Sequence, residues 1–178
     1  MKFKKLKIQN AYIIKPNLIK DKRGFFSELY NLKSLQKIIK GHFKQENISL
    51  SLKKNTFRGF HFQIGKYSQS KLLSVVCGEI DDFILDLRKS SKTYGKTIKI
   101  NLSENSKKLL FIPKGCAHGF LTKKNNTIIN YKVDEYYNKK SDSGINLLGS
   151  GIIFKNKLII SKKDKKLPKL NLTKQYFK

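Results

Sequence analysis

Two short stretches concentrate the side chains able to do chemistry. Arg58 to Gln63 reads RGFHFQ, with Gln69-Ser70-Lys71 shortly after it, and Phe111 to Phe120 reads FIPKGCAHGF. Between them they hold two of the chain's three histidines, His61 and His118, one of its three arginines, Arg58, and Lys71, each among apolar, aromatic or glycine neighbours. Polar groups set in such runs are expected to face a pocket. An imidazole exchanges protons near neutral pH, and a cation in a site shielded from water steadies an oxygen that becomes negative.

These side chains must be positioned by strands. Short apolar runs predict strands over Gln45–Leu52, Phe57–Gln63, Lys71–Cys77, Asp81–Leu87, Thr97–Leu102, Lys108–Ile112, Gly119–Thr122 and Thr127–Val133. Turns are expected at Gly78-Glu79, 89–95, 103–106 and 123–126. Phe3 to Ile14 reads as one edge strand ending in a turn at Lys15-Pro16-Asn17, and DKRGFFSE (21–28) as a charged turn. Leu32, Leu35, Ile38 and Ile39 have helical spacing, which predicts the one convincing helix. Many strands at roughly 8 to 12 residue intervals, without alternating helices, predict an all-β sandwich or antiparallel barrel with few short helices.

At 178 residues the chain suits a single domain over 1–178, with a barrel core at about 45–135, an N-terminal strand and helix arm, and an irregular lysine-rich tail from Gly144. Cys77 and Cys116, both in apolar runs, read as reduced core thiols, which suits the cytoplasm. No signal-like or membrane-spanning apolar run is present, so no membrane partner is expected. The net charge is +27, yet its basic residues are almost all lysine and are spread along the chain, apart from the lysine-free Leu72–Leu87. That distribution predicts a solvated lysine surface and no specific nucleic-acid partner.

Taken together, the motifs resemble the dTDP-4-dehydrorhamnose 3,5-epimerase family of cupin-like jelly rolls. The matching pieces are DKRGFFSE, QENISLS (45–51), FRGFHFQ (57–63), the run from Gln69 to Lys96, LSENSKKLLFIPKGCAHGF (102–120), YKVDEYY (131–137) and SKKD (161–164). The resemblance implies a homodimer without metal or organic cofactor, acting on a dTDP-linked 4-keto-6-deoxy sugar by removing and returning protons beside the C4 ketone.

By that resemblance His61 is the base and Asp164 its partner, Lys71 stabilises the enolate, and Tyr131 is the acid on the opposite face. His118 binds near the sugar. Arg23 and Arg58 are implied to bind the substrate, where a guanidinium fork suits a diphosphate better than lysine does. Glu28, Gln45, Glu46 and Asn47 are carried over as further contacts, with Asp142, Lys163 and Tyr137, the last as a stacking surface for thymine. Arg88 reads as a turn brace.

The chain departs from the family pattern at 64–71, at Cys116 and at 145–156. Inversion of a single carbon in a related nucleotide sugar therefore stands as the alternative. A metal-dependent cupin is a rival reading, because PKGCAH is similar to a cupin motif. Where such proteins place two histidines one residue apart, however, this chain has His61-Phe62-Gln63. A noncatalytic sugar-nucleotide module and a basic polyanion binder are the remaining rivals.

Overall fold

A computed structural model describes residues 1–147, 150–154 and 156–177. The parts of the expected irregular tail and of the 145–156 departure that fall on residues 148, 149, 155 and 178 lie outside the described residues. The strands are β1 (Lys2–Lys5), β2 (Tyr12–Lys15), β3 (Ile19–Asp21), β4 (Gly24–Phe26), β5 (Gln45–Ser51), β6 (Thr56–Gln63) and β7 (Lys71–Cys77). They continue with β8 (Glu79–Asp86), β9 (Thr97–Ser103), β10 (Leu109–Ile112), β11 (Cys116–Thr122), β12 (Thr127–Val133), β13 (Asp142–Gly144) and β14 (Ile159–Ile160). Two short helices, α1 (Leu32–Leu35) and α2 (Lys162–Lys165), complete the set.

One sheet runs β1-β2-β10-β7-β12-β5 and the other β13-β6-β11-β8-β9, with β14 added in parallel to β6. Among the described residues the other pairings between these strands are antiparallel. This is the all-β, cupin-like jelly roll that the strand pattern and the resemblance predicted. Between the sheets lies an apolar core that includes Ile13, Leu73, Val75, Ile80, Ile84, Leu102, Leu110, Phe120 and Ile129. Strand alternation sends the odd residues of β11, Ala117 and Leu121, to the outer face, where Ile152, Phe154, Leu158, Tyr176 and Phe177 cover them. The tail thus closes the second sheet and leaves the barrel interior to the even residues, Cys116, His118 and Phe120.

Several elements differ from the sequence expectation. The edge strand over Phe3–Ile14 is two paired strands, broken at a turn where Ala11 N donates to Ile8 O at 3.1 Å and Asn10 has φ +62°. The turn over 21–28 contains the hairpin β3–β4. Helix α1 stops at Leu35 instead of Ile39. Its spacing reported burial rather than helix length, because Leu35 and Ile39 both pack under Ile14, Leu72, Leu109 and Phe111. The tail is partly regular, since β14 and α2 form there. Helix α2 has no apolar periodicity to betray it and is fixed by the Ser161 side chain, which accepts from Asp164 N. Strands β1 and β2, outside the expected 45–135 core, also belong to the first sheet.

The feature that builds the site is an extra residue in β6. His61 stands opposite His118 and Arg58 opposite Phe120, so three steps on β6 match two on β11. In a regular strand Arg58 and His61 would point to opposite faces; the bulge turns both toward the interior. It demands glycine, since Gly59 has φ +121° and a Cβ there would lie 2.5 Å from Gly119 Cα and 2.6 Å from His118 O. Gly59→Ala is expected to cost at least about 3 kcal/mol, read as a lowered urea midpoint.

Candidate active site

A cavity of about 800 Å³ opens between the sheets, lined by His61, Lys71, His118, Tyr131 and Asp164 among others. Strand β14 runs along β6 in the register Ile159↔Thr56 and Ile160↔Phe57, which delivers Ser161 and helix α2 beside His61. There Asp164 Oδ1 lies 3.1 Å from His61 Nε2, and Asp164 Oδ2 accepts the Gly59 N–H at 3.2 Å. Burial would raise the Asp164 pKa, but the His61 bond, the Gly59 amide and Ser161 outweigh it and hold the carboxyl below its usual value. An ionised Asp164 accepting from Nε2 fixes the neutral tautomer and leaves the Nδ1 lone pair of His61 free to take a proton.

Across the cavity, β7 and β12 pair so that Val133 faces Lys71 and Tyr131 faces Leu73. Lys71 and Tyr131 therefore share the inner face, with the ammonium 5.9 Å from the phenol ring centre. Lys71 is only 9% exposed, and its ammonium has no hydrogen-bond or ion-pair partner among the described residues. Burial pulls its pKa from 10.5 to about 8, with Asp82 and Asp142 opposing the fall. A buried, unpaired cation at a cavity wall is costly and has an open position for an anionic oxygen. Burial also raises the Tyr131 phenol, against the pull of Arg58, so it stays protonated at neutral pH.

A second imidazole–carboxylate pair lies beside the first. His118 Nε2 is 2.7 Å from Asp82 Oδ2, while Asp82 Oδ1 is buried with no partner among the described residues. Burial raises the Asp82 pKa, opposed by His118 and Lys71. Asp82 was absent from the sequence-based candidates, yet a signal for it existed. Alternation places it on the same face as the core residues Ile80 and Ile84, where an unpaired acid is not tolerated.

The other candidates divide into two groups. Arg58, Gln45, Asn47, Tyr137, Asp142 and Lys163 line the same cavity. Arg58 donates to Ser51 Oγ at 3.1 Å and Leu50 O at 2.9 Å, and Lys163 Nζ pairs with Asp142 Oδ2 at 2.6 Å at the rim. Glu46 is not among the lining residues. It alternates to the outer face of β5 and pairs with Lys132 at 2.6 Å. Arg23 and Glu28 also lie outside this cavity: Arg23 pairs with Asp21 on the exposed β3–β4 hairpin, and Glu28 accepts from Asn31 at 2.7 Å. Arg88 forks onto Asp86 with two 2.8 Å bonds and reaches Gln9 O, bracing the turn after β8.

Both cysteines are free, and burial pushes the Cys116 thiol up to about 12, so it is inert. Among the described residues no three histidine, cysteine or acidic side chains group as metal ligands would, and no helix is long and apolar enough to cross a membrane.

The family profile for dTDP-4-dehydrorhamnose 3,5-epimerase matches residues 5–171. The dTDP-4-dehydrorhamnose 3,5-epimerase of Salmonella typhimurium is 41% identical over 143 residues, 79% of this chain and 78% of that protein. The Bacillus anthracis enzyme of the same name, solved with TDP and PPi bound, superposes with a TM-score of 0.91 at 40% identity, covering 95% of this chain and 99% of that one. A dTDP-6-deoxy-D-glucose-3,5-epimerase from Legionella pneumophila, solved with dTDP-4-keto-L-rhamnose, has a TM-score of 0.89 at 32% identity, covering 97% and 93%. Since the profile spans nearly the whole sequence and these relatives match over most of their own length, the chain belongs to the dTDP-4-dehydrorhamnose 3,5-epimerase family.

Proposed function

We propose that this enzyme inverts C3 and C5 of dTDP-4-dehydro-6-deoxy-D-glucose to give dTDP-4-dehydro-L-rhamnose, with His61 as base, Lys71 at the C4 oxygen and Tyr131 as acid. The observation that carries this reading is a single cavity lined by a His61–Asp164 dyad, an unpaired buried ammonium and a protonated phenol. Each inversion breaks a C–H bond next to the ketone. The proton goes to His61 Nδ1 and the electron pair moves to the C4 oxygen, where the Lys71 ammonium offsets the charge. The Tyr131 hydroxyl then returns a proton from the other face, and solvent resets both groups. Acid, base and cation all come from the chain's own side chains, and Arg58, which lines the same cavity, supplies the forked donor for the diphosphate under this proposal.

Incubation with the substrate in D₂O tests the assignment, with label followed by NMR. Label entering both C3 and C5 supports double inversion; label at C3 or C5 alone favours the single-carbon reading, and no label sinks both. In Tyr131→Phe, His61 can still remove a proton and return one from solvent on the same face. Exchange should therefore persist while product formation falls about 10²-fold or more.

A homodimer with shared sites is part of the proposal. The outer face of β5 exposes Ile48 (72%) and Leu50 next to Val76, and the hairpin exposes Ile19, Phe25 and Phe26 (66%). These apolar groups suit a second copy. In that arrangement the hairpin carries Arg23 and Glu28 to the partner's cavity, which accounts for their distance from their own. Subunit complementation tests it. Mixed Arg23→Ala and His61→Asn chains should recover about a quarter of wild-type activity, since half the dimers are mixed and one of their two sites is intact. Lack of recovery argues against a shared site. The two free thiols fit a reducing compartment, so the enzyme is placed in the cytoplasm under this proposal.

A further inference from the structure

Gln63 stands where a metal-binding cupin would put its second histidine, and the chemistry above leaves it without a task. It is 3% exposed, lines the cavity and uses its whole amide on main chain. Nε2 donates to Tyr67 O at 2.8 Å and to Tyr136 O at 3.1 Å, and Oε1 accepts from Asn138 N at 2.6 Å. From the opposite sheet, Gln45 Oε1 accepts from Tyr137 N at 3.0 Å, and its own Nε2 donates to Asn47. Three consecutive residues are thus held by two amides, one from each sheet. Tyr137 is otherwise exposed, its hydroxyl making one long 3.4 Å bond to Asp142.

We infer that Gln63, with Gln45, is a positioning residue for substrate affinity: the two amides fix the 136–138 backbone so that the Tyr137 ring stands at the cavity mouth against the bound nucleotide sugar. The inference rests on the proposed substrate. Only a carboxamide supplies two donors and an acceptor in one plane, so glutamate and methionine, of similar length, both fail. His61 is held by Asp164 and Lys71 by its own strand, and neither depends on this clamp. Its loss should therefore act on KM and leave kcat.

Steady-state kinetics of Gln63→Met should show KM for dTDP-4-dehydro-6-deoxy-D-glucose raised about tenfold with kcat within about threefold. In a Tyr137→Ala background the same change should add less than about twofold, because Gln63 acts through that ring. An equal rise in both backgrounds, or a fall in kcat at constant KM, overturns the inference. The chain has no tryptophan, so Tyr137→Trp gives a single reporter that needs no substrate. Adding Gln63→Met should lower the fluorescence anisotropy of the indole as its backbone is released, and unchanged anisotropy overturns the clamp even if the enzyme proves to use another sugar. Should Gln63→Met not fold, Gln63→Glu, which keeps the acceptor for Asn138 N–H but loses both donors to Tyr67 O and Tyr136 O, carries the same two comparisons.

Discussion

Replacing His61 with asparagine is expected to lower kcat by about 10²- to 10⁴-fold, the usual worth of a positioned general base. Solvent deuterium should cease to enter C3 and C5 together, because one imidazole serves both carbons. Single-turnover exchange followed by NMR, with dTDP binding measured by calorimetry as a control on folding, reads this directly. Exchange that survives at either carbon would assign that proton to a different base, the His118–Asp82 pair being the nearest. Asp164→Asn should fall between His61→Asn and wild type. The amide keeps an acceptor for Gly59 N–H but no longer holds an ionised partner against His61 Nε2.

Lys71→Met separates activity from stability. Removing the cation beside the enolate oxygen should lower kcat about 10²- to 10³-fold. Stability should move the other way. The folded state depresses the Lys71 pKa from 10.5 to about 8, so below pH 8 it holds a charge that burial disfavours. A difference of that size corresponds to roughly 3 kcal/mol, which methionine would recover at neutral pH. The sign follows from proton counts. Between about pH 8 and 10.5 the unfolded chain keeps the proton that the folded chain has lost, so wild-type stability gains from this group as pH rises, and Lys71→Met loses that gain. Urea midpoints at pH 7 and 9.5 measure both effects. In kinetics, wild-type kcat/KM should decline above about pH 8 as the free enzyme's ammonium discharges. A fully active Lys71→Met, or one less stable at pH 7, would remove the lysine from its assigned role.

The active-site geometry also shows how function and stability compete in this fold. A regular β6 would need no glycine at 59 but would send Arg58 and His61 to opposite faces; the bulge instead brings both to one side. Inward-facing residues of β5, Gln45, Asn47, Ser49 and Ser51, are polar, while Ile48 and Leu50 look outward. That inverted pattern gives up core packing to line a cavity, and it leaves an apolar surface suited to a second copy.

The sequence by itself determined strands β5 to β12, because alternation and turn residues are local, whereas β3, β4, β13 and β14 are too short to show a pattern; it also marked His61, His118, Arg58 and Lys71, because polar groups within apolar runs are rare enough to stand out. Tertiary structure alone decided which of these groups meet. The bulge at Gly59 depends on the close passage of Gly119, the meeting of Asp164 with His61 depends on β14 lying along β6, and the Asp82 bond to His118 depends on the pairing of β8 with β11. Each is a contact between residues far apart along the chain, and periodicity within one segment carries no information about which distant strand it will pair with.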